Sequence, residues 1–154
     1  MLTKSQQLVY EIIRCNGGVE DKTKLAKLQY FADFIHYAFN DSQISEQSYI
    51  YTRQKQGPLG RNLTADLAAL KADGVITEPS EFNYGIAKEI ETDLSKSEAK
   101  TIKFVLEKYG KLSWHELMNI SHDQEPYLST TDGGIIEPFT AYNLVDLYPD
   151  YASA

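Results

Sequence analysis

The segment KTKLAKLQYFADFIHYAF, residues 22–39, constrains this chain more than any other. Leu25, Leu28, Ala32, Ile35 and Phe39 recur at steps of three and four and line one helical face, which Phe31, Phe34 and Ala38 widen. An apolar face that wide needs covering on more than one side. The pattern therefore predicts the most buried helix of the fold, begun by Asp21 as N-cap and ended at Asn40-Asp41-Ser42. At 154 residues the chain is about one domain's worth, long enough to bury roughly 68–70% of its unfolded surface without staples.

Other elements follow from caps and periodicity. Leu8, Val9, Ile12 and Ile13 place a helix over Ser5 to Arg14, stopped by Gly17-Gly18. Tyr49 to Arg53 alternates as a short strand that Gly57-Pro58 ends. Leu63, Leu67 and Leu70 align a helix from about Arg61 to Asp73, with Gly74 beyond its end. Val75 to Thr77 and Phe82 to Ile86 read as a hairpin around Glu78-Pro79-Ser80-Glu81. Ser95 with Glu98, and Ser113 with Glu116, have capping-box spacing ahead of two further helices, the second interrupted by Pro126. Pro138 opens a last helix through Ala141, Leu144, Val145 and Tyr148. The expectation is one mainly helical α+β domain over residues 1–150 with a small β-hairpin and a winged-helix-like head, and a frayed tail at 151–154.

Charge and cysteine content narrow the class. The net charge is -7, divided as +1 over residues 1–77 and -8 over residues 78–154. Neither disorder nor a strongly basic nucleic-acid binder fits this balance with 42% hydrophobic residues. Lys22, Lys24, Lys27, Arg53, Lys55 and Arg61 form a phosphate-contacting patch if the fold gathers them, and ordinary solvated charge if it does not. Cys15 is the one cysteine, which fits a reducing compartment. The N-terminus, broken by Glu11 and Arg14, makes neither a signal peptide nor a membrane span, so the expected location is the cytoplasm.

Catalytic patterns are weak. His115, Glu116, His122 and Asp123 lack the spacing of a zinc-binding HExxH helix, because residue 119 is asparagine, and Glu116 serves better as the capping partner of Ser113. Cys15 lies near a helix C-terminus, where the dipole disfavours a thiolate, and reads as buried or inert. His36 reads as a satisfied side chain at the core edge. Gly57-Pro58-Leu59-Gly60 is not a nucleotide-binding loop, and no nucleophile elbow occurs. No enzyme activity, cofactor or metal is expected. The aromatic supply is more distinctive, with eleven tyrosines, six phenylalanines and one tryptophan. Trp114 reads as core, whereas Tyr49, Tyr51 and Tyr127 are candidates for an interface, where tyrosine combines apolar area with a polar handle.

Taken in order, several motifs resemble the Panacea-domain family, the SocA-like antitoxins. KLAKLQYFADFIH at 24–36 is similar to that family's K-L-x-K-L-x-Y-x-A-D helix, with Lys27, Leu28, Tyr30, Ala32 and Asp33 at matching positions. Ile44 and Ser45 resemble the segment before its central strand, and Tyr49 to Pro58 the strand leading to a Gly-Pro turn. KYGKLSWHELMNISHDQEPY at 108–127 resembles its Y-G-x-L-S-x-x-E-L run followed by a histidine and a Pro-aromatic pair, with Tyr127 where tryptophan is common.

The resemblance implies an antitoxin that neutralises a cognate protein toxin by direct contact, in some relatives as an adaptor delivering it to a Clp-type protease. It nominates Lys27, Tyr30, Asp33, Tyr51, Gly57 and Pro58 for partner binding, with His122 and Tyr127 beside them. Structural roles compete: Tyr30 bonding across the core, Asp33 holding a strand or turn, Gly57-Pro58 setting geometry. The -8 half offers an acidic surface for a basic toxin. The alternative function is that of a small winged-helix-like DNA-binding regulator.

Overall fold

The computed structural model describes residues 1–154. Helix α2 (Lys22–Asn40) is its axis, and every residue from Lys24 to His36 is buried. Helices α1 (Lys4–Cys15), α4 (Lys96–Tyr109) and α5 (Trp114–His122) pack around it together with strand β2 (Gly57–Gly60) and a 3-10 helix (Pro138–Leu147). Enclosure on all sides explains why polar Lys24, Lys27, Gln29, Asp33 and His36 lie inside with the apolar stripe. His36 is satisfied, one ring nitrogen facing Ser42 O and the other Ser97 Oγ.

Local chemistry sets the helix starts. Asp21 caps α2 by accepting from the Lys24 amide, and Ser95 and Ser113 close complete capping boxes with Glu98 and Glu116. Thr3 and Gln6 close a third box, so α1 starts one residue before the expected Ser5. Helix α3 (Leu63–Ala72) packs on α1, and strands β3 (Ile76–Ser80) and β4 (Asn83–Ile86) form the expected hairpin. Val19, between α1 and α2, bridges Tyr84 in β4. Helix, bridging residue, helix, helix and hairpin follow the order of a winged helix, with residues 41–62 inserted between α2 and α3.

That insertion carries β1 (Tyr51–Gln54) and β2, which with β5 (Ile135–Ile136) form a sheet ordered β2-β1-β5. Here the Gly-Pro reading needs correction. The turn is Lys55-Gln56, and Gly57 and Pro58 begin the return strand opposite Gln54 and Arg53. Proline is tolerated because β2 is an edge strand, where a missing donor costs no ladder bond.

The C-terminal segment departs most from expectation. After Pro138 the chain forms a 3-10 helix rather than an α-helix, because its core-facing positions, Ala141 and Leu144, are three apart. At that period Phe139, Tyr142 and Val145 share one exposed face, so Val145 is not the buried residue that α-helical spacing implied. A short helix α6 (Glu125–Leu128) packs against this element. The tail does not fray at 151: Tyr151 is buried, stacks on Phe39 with ring centres 4.3 Å apart, and its hydroxyl lies 2.7 Å from Thr101 Oγ1. Trp114, expected in the core, is instead exposed at the start of α5, and Cys15 is exposed at the end of α1. No helix is long and apolar enough to cross a membrane.

Candidate functional site

The motif residues converge on one buried polar network along α2. Asp33 Oδ1 accepts from the Ile44 amide at 2.7 Å and the Ser45 amide at 2.8 Å, while Oδ2 accepts from the Tyr51 hydroxyl. One aspartate thereby pins the whole turn that leads from α2 to the sheet. Desolvation pushes the Asp33 carboxyl above its usual range, partly offset by these donors, and burial also raises the Tyr51 hydroxyl.

One turn towards the N-terminus of α2, the Tyr30 hydroxyl donates to Gln124 Oε1 at 2.8 Å. Gln124 Nε2 donates to the Tyr148 hydroxyl at 2.7 Å, which in turn lies 2.8 Å from the Tyr109 hydroxyl. This chain of side chains ties α2 to α4, to the α5–α6 junction and to the C-terminal segment. A further turn along, Lys27 Nζ donates to Pro58 O at 2.7 Å. Gly57 is required beside it: its φ is +111°, and a Cβ there would fall 2.5 Å from Lys27 Cε and 3.0 Å from Ser121 Oγ. Burial lowers the Lys27 amine to about 7 from the ordinary 10.5.

His122 and Tyr127 adjoin this network. Their rings stack with centres 4.3 Å apart, and the Arg53 guanidinium carbon lies 4.2 Å from the Tyr127 ring centre. Two groups that close cannot share one face, so the tyrosine is sandwiched. Its hydroxyl donates to Gln54 O at 2.8 Å, and Arg53 donates to the carbonyls of Tyr127 and Thr130. Desolvation, then the charges of Lys27 and Arg53, hold the His122 imidazole below its usual value, and its Nε2 is buried without a partner.

All eight nominated residues are thus brought together, but as interior or half-buried groups. Tyr30, Asp33, Tyr51 and Tyr127 are buried, so their side chains are not presented to a partner on the surface. Tyr49, also weighed as an interface residue, is buried against Tyr51 and accepts from Gln29 Nε2. The phosphate-contacting patch assembles only in part: Lys24 pairs with Glu20 at 2.6 Å, Lys27 faces Pro58 and Arg53 is committed to Tyr127 and Asp132, while Lys22, Lys27 and Lys55 border one cleft. Of the network, Lys27 and Gly57 border a surface cleft of about 450 Å³ that Lys22, Gln54, Lys55 and Gln56 also line.

Sequence reading missed two things. Gln124, Tyr148 and Tyr109 complete the network, yet no local signal marks a glutamine as buried. The second is a surface: Leu128, Ile135, Phe139, Tyr142, Val145 and Leu147 are all exposed. Two signals were present for it, the three-residue spacing after Pro138 and the absence of any Lys or Arg beyond Lys111.

The order of these elements and the α2 network define a small α+β domain built around a buried polar spine. The chain belongs to the family described as antitoxin SocA-like, Panacea domain, whose model matches residues 25–127. That span contains Lys27, Asp33, Tyr51, Gly57 and Gln124 and ends at Tyr127. No curated protein and no solved structure matches the chain significantly.

Proposed function

We propose that this protein neutralises a cognate protein toxin by direct protein–protein contact, acting as a binding protein and not as an enzyme. The family match over residues 25–127 carries this reading. The structure supports it with a fold in which the Lys27, Tyr30, Asp33 and Gln124 side chains are spent on internal bonds, which leaves recognition to a preorganised exterior. Co-expression with the product of the neighbouring gene, scored by growth and by pull-down, tests it. Rescue of growth with a stable complex is expected; no rescue and no complex overturns it. Delivery to a Clp-type protease is a separate step: it requires the toxin's half-life to fall when antitoxin and protease are both present and to stay long when either is removed.

A regulatory DNA-binding reading draws on the winged-helix order and the Val19–Tyr84 bridge. Helix α3 would then be the reading helix, yet its exposed residues are Thr64, Ala65, Ala68, Lys71 and Ala72, and Lys71 pairs with Glu78 at 2.6 Å. A surface with one committed cation has little to offer phosphate, so this reading ranks second. Salt-sensitive DNA association would favour it.

A further inference from the structure

The exposed apolar residues are not scattered. Six of the nine large hydrophobic side chains that remain exposed, Leu128, Ile135, Phe139, Tyr142, Val145 and Leu147, fall within twenty residues of chain, while Met1, Phe82 and Trp114 stand apart. Phe139, Tyr142 and Val145 occupy successive turns of the 3-10 helix and so form one stripe. Leu128 comes from α6, which packs on that helix. Clusters of this kind mark interaction sites, whereas single exposed hydrophobics mean little. The aromatic centre of the stripe is held in place: Tyr142 donates to Asp41 Oδ1 at 2.7 Å, and its ring centre lies 5.4 Å from that of Tyr37. A fixed tyrosine loses little entropy on binding.

The free charge on these elements is acidic, and the cations of other elements that reach this segment are engaged: Arg53 with Tyr127 and Asp132, Lys100 with the Tyr151 ring, Lys108 with Asp150. No Lys or Arg follows Lys111, and Glu125, Glu137 and Asp146 are exposed carboxylates with no cation at ion-pair distance. This decides among occupants. A second copy of the chain meeting this face symmetrically would set these carboxylates against their own copies. Nucleic acid and anionic lipid would be repelled. A protein segment with an apolar stripe flanked by Lys or Arg is matched in both respects.

We infer that the 3-10 helix and α6 form a docking face for a cationic amphipathic segment of the partner protein. Under the toxin-neutralisation reading that segment belongs to the toxin, and the inference rests on that reading for the partner's identity alone. The 3-10 helix and Leu128 lie beyond Tyr127, where the family match ends. The buried network then acts as scaffold, and the C-terminal segment supplies the recognition.

Two measurements on the full chain test this. The first uses a labelled amphipathic peptide of leucine and lysine as probe, with a leucine–glutamate peptide as control. Wild type binds the lysine peptide and not the glutamate one. Phe139→Ser with Leu147→Ser weakens binding about tenfold or more without shifting the thermal midpoint, as does Glu137→Lys with Asp146→Lys. Glu81→Lys with Glu91→Lys makes the same change of net charge away from this face and leaves affinity within about twofold. Equal loss for both charge-reversed pairs, or no loss for the serine pair, overturns the inference. The second measures growth rescue against the co-expressed partner. Rescue by wild type and by Glu81→Lys with Glu91→Lys, but not by the serine pair, supports the docking face. Rescue by all three overturns it while leaving toxin neutralisation intact. Absence of rescue by wild type counts against toxin neutralisation, and the peptide measurement then decides the face.

Discussion

The same hydrogen bond is made twice in this molecule, once inside and once outside. Tyr51 donates to Asp33 in the interior, and Tyr142 donates to Asp41 at the surface. Inside, the carboxylate also holds two backbone amides, and desolvation raises the titration of both partners. Outside, the hydrogen bond to Asp41 lifts the Tyr142 hydroxyl to about 12, and water competes for every atom. The lesson is one of roles. The interior pair fixes the fold because each of its groups would be orphaned by loss of the other. The exterior pair orients an aromatic ring and leaves the fold indifferent to it.

The largest effect that can break this comparison is at Asp33. Asp33→Ala orphans two amides and a hydroxyl and should cost about 3–5 kcal/mol in urea unfolding, whereas Tyr142→Phe, which removes the exterior bond, should change the midpoint negligibly. Similar losses at the two sites would remove the distinction. Next is Gly57, where Gly57→Ala combines a disfavoured φ with a collision against the buried Lys27 stem and should cost about 1–3 kcal/mol. An unchanged midpoint would show that Lys27 moves aside freely.

A third test reads a slope, the pH dependence of stability. Lys27 titrates near 7 in the fold and near 10.5 unfolded, so between these values the unfolded chain holds a proton that the folded chain has released. Stability then rises with pH across that interval, by at most about 1.4 kcal/mol per pH unit from this group, and its contribution is lost as pH falls through 7. Above pH 10 the buried tyrosines reverse the slope, because their hydroxyls ionise in the unfolded chain first. Lys27→Met should remove the rise between pH 7 and 10 that wild type shows in the same buffers. A rise of equal size in the variant would place its origin elsewhere.

Elements defined by neighbours in sequence were legible in it. The boxes of Ser95 with Glu98 and Ser113 with Glu116, and the apolar stripe of α2, depend on contacts within one or two turns. What the sequence hid depends on the far side of the fold. Gly57-Pro58 imitates a turn, but the glycine is needed by a lysine thirty residues earlier. Val145 fits an α-helical stripe until the helix winds with three residues per turn and carries it outward. The motif order identified the family through residues that serve its core, and for that reason it pointed the binding hypothesis inward. Burial of Lys27, Asp33 and Gln124 has no local signature, since each is paid for by a partner distant in the chain.

Hydrogen exchange on the complex with the co-expressed partner compares the two regions most directly. The account predicts new protection at the amides of Phe139 to Leu147 and Leu128, with exchange in α2 unchanged from the free protein. Protection centred on the cleft beside Lys22, Lys55 and Gly57, with residues 138–147 exchanging as before, would contradict it.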